Sequence, residues 1–248
     1  MEQSVGKMVA CGGLDNMCTV YKLDKPNMAM EMVSHDGFLS CCRFLSEQHI
    51  LTSSGDSTCI RWDIASGRVL DTFAEHEADA MFLSLRPNDP NVFVSSSVDK
   101  TVKVWDIRSS AKEGSAQTFT GHMGDVNGVD FMPSDGNAFA TCSEDGTARV
   151  WDMRAYQEVT KFGQLKTQGD AMPDTEGYTS IAFSKSGRLL FCGHSDSSVL
   201  AYDLLSDRST PTFTLNQAHD SQVSCLGVSP NGDGLCTGSW DFNLKIWA

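Results

Sequence analysis

Residues 125–153 display the pattern from which this chain is built. "DVNGVDFMP" (125–133) alternates apolar and polar side chains, "SDGN" (134–137) is turn-forming, and "AFATCS" (138–143) is a mostly apolar run. "EDGT" (144–147) is a second, tighter turn, and "ARVWDM" (148–153) resumes the strand pattern. Period-two alternation suits a half-buried strand, because successive side chains leave on opposite faces. Gly, Asp and Asn clusters supply the backbone freedom of the turns. Such runs of five or six residues, with little helical periodicity, recur along the whole sequence, so the expected fold is all-β.

Self-comparison turns the runs into a repeat. Six segments end alike: "LDNMCTVYKL" (14–23), "GDSTCIRWDI" (55–64), "VDKTVKVWDI" (98–107), "EDGTARVWDM" (144–153), "SDSSVLAYDL" (195–204) and "WDFNLKIWA" (240–248). In each, an Asp precedes a Trp or Tyr by six residues: Asp15–Tyr21, Asp56–Trp62, Asp99–Trp105, Asp145–Trp151, Asp196–Tyr202 and Asp241–Trp247. Successive aromatics lie 41, 43, 46, 51 and 45 residues apart. A fixed inner spacing with an elastic outer one indicates one structural unit joined by variable loops. Units of about 40–45 residues with a terminal Trp-Asp match a propeller blade of four antiparallel strands.

On these residues the chain resembles the WD-repeat family. The family's upstream histidine is present as His35, His76, His122 and His219, 21 to 23 residues before the respective Asp. Two positions before the Asp stand Ser54, Ser97, Ser143 and Ser239. The resemblance implies a buried His–Ser–Asp–Trp network in each full blade, made of His35, Ser54, Asp56 and Trp62; His76, Ser97, Asp99 and Trp105; His122, Ser143, Asp145 and Trp151; and His219, Ser239, Asp241 and Trp247. The same trio at one spacing four times over is structural, since catalytic triads do not come in four copies. The fifth unit has no upstream histidine, carries His194 in place of the serine, and follows a polar stretch (163–177) expected to be a surface loop. Its network is expected to be incomplete, with His194 an irregular core residue.

Strand direction alternates within a blade, so the loop after the histidine and the turn before the Asp open at one end. The residues before each Asp are Leu14, Gly55, Val98, Glu144, Ser195 and Trp240. Their variety answers no shared structural demand, whereas Trp247 has an aromatic counterpart in every unit. Three residues after the histidines stand Phe38, Asp79, Asp125 and Gln222, and two further on Met81 and Asn127. Aromatic and methionine side chains among carboxylates suit a protein partner that carries apolar anchors and Lys or Arg.

Composition narrows the function classes. A formal net charge of −13, with no basic block, argues against nucleic acid. Nine cysteines occur without a C-x-x-C pair, mostly in apolar runs, which reads as buried reduced thiols rather than a metal site or a disulfide framework. No signal layout and no long apolar window is present, so the expectation is a soluble cytoplasmic protein that meets membranes only through partners. No phosphate-cradling glycine loop or non-repeating nucleophile–base pair stands out. Neither enzymatic activity, a metal nor a cofactor is expected.

Below the family level, "VACGGLDN" (9–16), "LSCCRFL" (39–45), "TSSGDSTC" (52–59), "GNAFAT" (136–141), "FSKSGRLL" (183–190), "VSCLGV" (223–228) and "GSWDFNLKIW" (238–247) are similar to the beta subunits of heterotrimeric G proteins. The resemblance implies a non-catalytic signal transducer whose propeller face binds a GDP-bound alpha subunit, and effectors once alpha leaves. Carried over by position, the face comprises Leu14, Phe38, Asp79, Met81, Asp125, Asn127, Glu144 and Trp240. Phe38 stands where the family usually has tyrosine, Glu144 where it has aspartate, and Val98 where it has cysteine. A gamma subunit would supply membrane attachment, although the amino-terminal helix that coils with gamma has no counterpart here. The family has seven blades. This chain reads as one propeller domain (1–248) with a partial blade at 1–33 and five complete repeats at about 34–63, 75–106, 121–152, 178–203 and 218–248, lacking the amino-terminal part. "MEQSVGK" is too short and polar to replace the strand that closes the family's last blade. A WD-repeat scaffold for multiprotein complexes, without a G-protein role, is the alternative reading.

Overall fold

The computed structural model describes residues 3–5, 7–23, 25, 28–109, 113–163, 177–206 and 210–248. Most of the expected surface loop, 164–176, lies outside these. The chain forms two compact units, residues 1–120 and 121–248.

Unit 1 contains three four-stranded antiparallel sheets in chain order. The first is β1 (Gln3–Val5), β2 (Met8–Gly12), β3 (Met17–Lys22) and β4 (Met28–Val33). The second is β5 (Leu39–Phe44), β6 (His49–Ser54), β7 (Cys59–Asp63) and β8 (Arg68–Phe73). The third is β9 (Ala80–Leu85), β10 (Val92–Ser97), β11 (Val102–Asp106) and β12 (Gln117–Phe119). Residues 3–5 are a strand that their polar composition did not predict. They pair antiparallel with β2, Gln3 opposite Ala10 and Val5 opposite Met8, so the first sheet has four strands rather than part of a blade.

Unit 2 repeats the plan with β13 (Val126–Phe131), β14 (Ala138–Ser143), β15 (Thr147–Asp152) and β16 (Gln157–Gly163), then β17 (Tyr178–Phe183), β18 (Leu189–His194), β19 (Val199–Asp203) and β20 (Phe213–Leu215). A three-stranded sheet of β21 (Val223–Val228), β22 (Leu235–Ser239) and β23 (Leu244–Trp247) follows. The fold is all-β, of WD40 propeller type, with six blade-like sheets among the described residues.

Apolar side chains from successive sheets bury one another. In unit 1, Ile50, Ile60 and Trp62 pack with Ala10, Cys18 and Val20 of the first sheet, while Phe73 meets Phe93 edge-on across the next seam. In unit 2, Phe162 and Cys142 pack with Ile181 and Tyr202, and Val199 with Val223 and Leu226. Each buried Val, Leu, Ile or Phe among them contributes roughly 1.5–3 kcal/mol. None of the nine cysteines is in a disulfide and six are buried, Cys41, Cys59, Cys142 and Cys192 among them with thiols pushed up by burial.

The turn after each repeat Asp has one recurring conformation. Asn16, Ser57, Lys100, Gly146, Ser197 and Phe242 all have φ between 64° and 79°. A left-handed residue at this point lets the chain reverse and rejoin the ladder, as in the bond from Ser54 N–H to Thr58 O.

Candidate functional site

The four histidines and aspartates meet as the family resemblance implied. Nδ1 of His35, His76, His122 and His219 stands 2.7, 2.8, 2.8 and 2.9 Å from Oδ2 of Asp56, Asp99, Asp145 and Asp241. Each of these oxygens also accepts the backbone N–H of the residue after the histidine. Burial alone would raise the carboxyls of Asp56, Asp99, Asp145 and Asp241. Hydrogen bonds from the histidine and neighbouring groups outweigh it and hold all four below the usual carboxylate range.

The hydroxyl in the network is not the expected one. Nε2 of the four histidines meets Thr52, Ser95, Thr141 and Thr237 at 2.7–2.8 Å, and the same oxygens accept the indole N–H of Trp62, Trp105, Trp151 and Trp247. These hydroxyls lie four residues before the Asp, not two. Strand register explains the correction. Trp62 lies opposite Ile50, and Thr52 is the next same-face neighbour along β6, within diagonal reach of the indole. Ser54 is two residues further along, roughly 6–7 Å beyond. Ser54, Ser97, Ser143 and Ser239 instead accept the N–H of the Asp two residues on, and Ser54, Ser97 and Ser239 donate to the carbonyls of Gly37, Ala78 and Ser221. The signal was available, since a Thr or Ser stands four before the Asp in each full repeat.

The fifth sheet has its own solution. Tyr178 and Tyr202 share a hydrogen bond of 2.6 Å where the four full repeats join hydroxyl, histidine and tryptophan. His194 is half-buried, packs edge-on against Tyr178 and pairs with Asp196 at 2.9 Å.

Above these networks, the residues from the two loop positions are bonded in pairs. The backbone N–H of the residue before the Asp donates to the carbonyl three residues after the histidine: Gly55 to Phe38 (2.9 Å), Val98 to Asp79 (3.0 Å), Glu144 to Asp125 (3.0 Å) and Trp240 to Gln222 (3.2 Å). In unit 1 this end carries Leu14, 89% exposed, next to Gly13, whose carbonyl accepts from Leu39. The ring of Phe38 lies where a Cβ on Gly55 would stand, so the glycine makes room for it. In unit 2 the same end carries exposed Glu144 and Trp240, the indole 66% exposed.

Met81 and Asn127 occupy a feature invisible in sequence. Each is the extra residue of a β-bulge at the start of β9 or β13, where Ala80 and Phe82 face Ser97 and Ser96, and Val126 and Gly128 face Ser143 and Cys142. A bulge re-aims its side chain. Asn127 Nδ2 donates to Tyr178 O at 3.0 Å, as Ser40 Oγ donates to Ala80 O at 2.5 Å. Asn127 therefore ties two sheets together, while Met81 is the apolar member of the series.

Among the described residues no group of three His, Cys, Asp or Glu is placed to hold a metal, and no helix is long and apolar enough to cross a membrane. The family described as G protein beta WD-40 repeat protein matches residues 2–248. Guanine nucleotide-binding protein subunit beta of Zea mays is 41% identical over 258 residues, covering 98% of this chain and 67% of the relative. The Arabidopsis thaliana and Nicotiana tabacum subunits are 41% and 42% identical with the same coverage. The chain belongs to the G protein beta family. As a member it is a signal-transducing beta subunit of the G-protein type, and its blade networks are the scaffold on which the paired loop residues stand.

Proposed function

We propose that this G protein beta subunit binds a GDP-bound alpha subunit, and effectors in its absence, through the turns preceding the repeat aspartates in each unit. The observation that carries this is the set of bonded loop pairs, Phe38–Gly55, Asp79–Val98, Asp125–Glu144 and Gln222–Trp240. They hold Phe38, Asp79, Asp125, Glu144 and Trp240 at the ends of their sheets, where Leu14 beside Gly13 and the bulge residues Met81 and Asn127 also stand. Leu14, Phe38, Met81 and Trp240 offer apolar anchors, and Asp79, Asp125 and Glu144 a negative rim for Lys or Arg of the partner.

The protein works by recognition and is not an enzyme. The sheets form a template whose turns are pinned by His–Asp pairs, and the nucleotide-dependent change belongs to the alpha subunit. A gamma subunit brings it to the cytoplasmic face of the plasma membrane. The six sheets are read as part of a seven-bladed ring, the relatives' unmatched length leaving room for the rest.

The test is titration of the chain with GDP-loaded alpha subunit. Leu14→Ala and Trp240→Ala should each weaken binding about tenfold or more with the fold intact. Unchanged binding in both would favour a general scaffold.

A further inference from the structure

Phe242 stands where the fold makes no demand for it. It follows Asp241 in the turn between β22 and β23, with φ 65° and 99% of its surface exposed. Its counterparts in the other five turns are Asn16, Ser57, Lys100, Gly146 and Ser197, either glycine or polar. A bulky apolar residue suits this position on neither count. Like Asn16, Ser57, Lys100 and Ser197 it carries a Cβ at positive φ, and unlike them it leaves an aromatic ring in water. Backbone strain kept under a fully exposed aromatic points to work done outside the folded chain.

The turn that carries the ring is held from several sides. Asp241 Oδ2 meets His219 Nδ1 at 2.9 Å and accepts the Asp220 N–H at 3.1 Å, while Oδ1 accepts the Asn243 N–H at 2.8 Å. Phe242 N–H donates to Ser239 O and Trp240 N–H to Gln222 O, both at 3.2 Å. Trp240 and Phe242 thus flank a pinned aspartate as a preset pair of exposed aromatics. Anchors on a rigid turn lose little conformational freedom when they bind.

We propose that Phe242 is a second aromatic anchor beside Trp240, contacting an apolar side chain of the partner with Lys or Arg around it. The basic surroundings follow from the net charge of −13 and from exposed Asp220, whose backbone N–H is bonded to Asp241 of the same turn. The inference rests on the alpha-binding reading above and extends it to a residue outside that set.

The experiment titrates the full chain and its Phe242→Gly, Phe242→Tyr and Trp240→Ala variants with GDP-loaded alpha subunit, and records thermal unfolding of each. Phe242→Gly is expected to lower affinity about tenfold while Tm holds or rises by roughly 2–4 °C as strain is released. Phe242→Tyr should keep the affinity within about twofold, because the ring remains. Unchanged affinity in Phe242→Gly, alongside a loss in Trp240→Ala, overturns the second anchor and leaves the alpha-binding reading standing. A Tm that falls together with affinity in Phe242→Gly also overturns it, by making the residue structural. Full affinity in both Phe242→Gly and Trp240→Ala removes the anchor and the reading beneath it.

Discussion

Thr141 accepts the indole N–H of Trp151 at 2.9 Å and stands 2.7 Å from Nε2 of His122. An indole nitrogen only donates, so the threonine oxygen is the acceptor there and its own proton is free for Nε2. Burial holds the His122 pKa down, and the Asp145 carboxylate, which only accepts, takes the proton on Nδ1. The carboxylate therefore sets the tautomer, and one hydroxyl serves both the indole and Nε2 of the histidine that pins the turn.

Removing that hydroxyl without changing shape tests the network. Thr141→Val leaves the Trp151 donor and the histidine nitrogen unpaired in a buried site, and should cost roughly 2–3 kcal/mol. Ser143→Ala removes an acceptor for a turn N–H and should cost about 1 kcal/mol. Denaturant midpoints of the two variants check the order. The reverse order would return the network role to Ser143.

Stability should fall on acidification in two stages. Burial holds the His122 pKa below its ordinary value against the opposing pull of Asp145. A lowered histidine is protonated earlier in the unfolded chain, so its contribution is complete above about pH 6.5 and is lost below it. Asp56, Asp99, Asp145 and Asp241 have folded values below their unfolded ones, so their contribution is present above about pH 4 and disappears as pH falls further. Thermal unfolding from pH 8 to pH 3 reads both stages. A Tm unchanged down to pH 4 would remove the first.

Gly55 and Phe38 should behave as a coupled pair. A Cβ at Gly55 meets the Phe38 ring, so Gly55→Ala displaces the ring and should cost about 1–2 kcal/mol. Adding Phe38→Ala removes the obstacle, and the double variant should be more stable than the sum of the single effects predicts. Additive free energies would show that the ring relaxes without cost.

The tyrosine pair of the fifth sheet offers a clean asymmetry. Tyr178→Phe leaves the Tyr202 hydroxyl without its 2.6 Å partner and should cost about 1 kcal/mol. Replacing both, Tyr178→Phe with Tyr202→Phe, should be no worse than the single change, because no polar group is then left buried alone. Unfolding midpoints of the three proteins settle the comparison.

Much of the scaffold was legible because its signals are short-range. The Asp15–Tyr21 and Asp145–Trp151 spacings measure one turn plus most of a strand, and that distance is the same in every sheet. The loop face was legible too, since Gly55 pairs with Phe38 and Trp240 with Gln222 as alternating strand direction requires. Residues 3–5 were missed because pairing with β2 is a backbone event that polar side chains do not announce. Asn127 and Met81 lay at the right end of their strands, but the bulges that aim them depend on an unequal register with β14 and β10.

By itself, the sequence determined the all-β blades and their turns, since periodicity and spacing within one repeat specify them, while the His–Asp pairs and the family followed from the resemblance of its motifs. Only the tertiary structure decided that Thr141 and not Ser143 meets Trp151, that Tyr178 bonds Tyr202 in the fifth sheet, and that Asn127 ties two sheets. Residues two apart on a strand share a face and look equivalent along the chain. Which of them bonds is chosen by the strand opposite, and that partner is known only once the chain has folded.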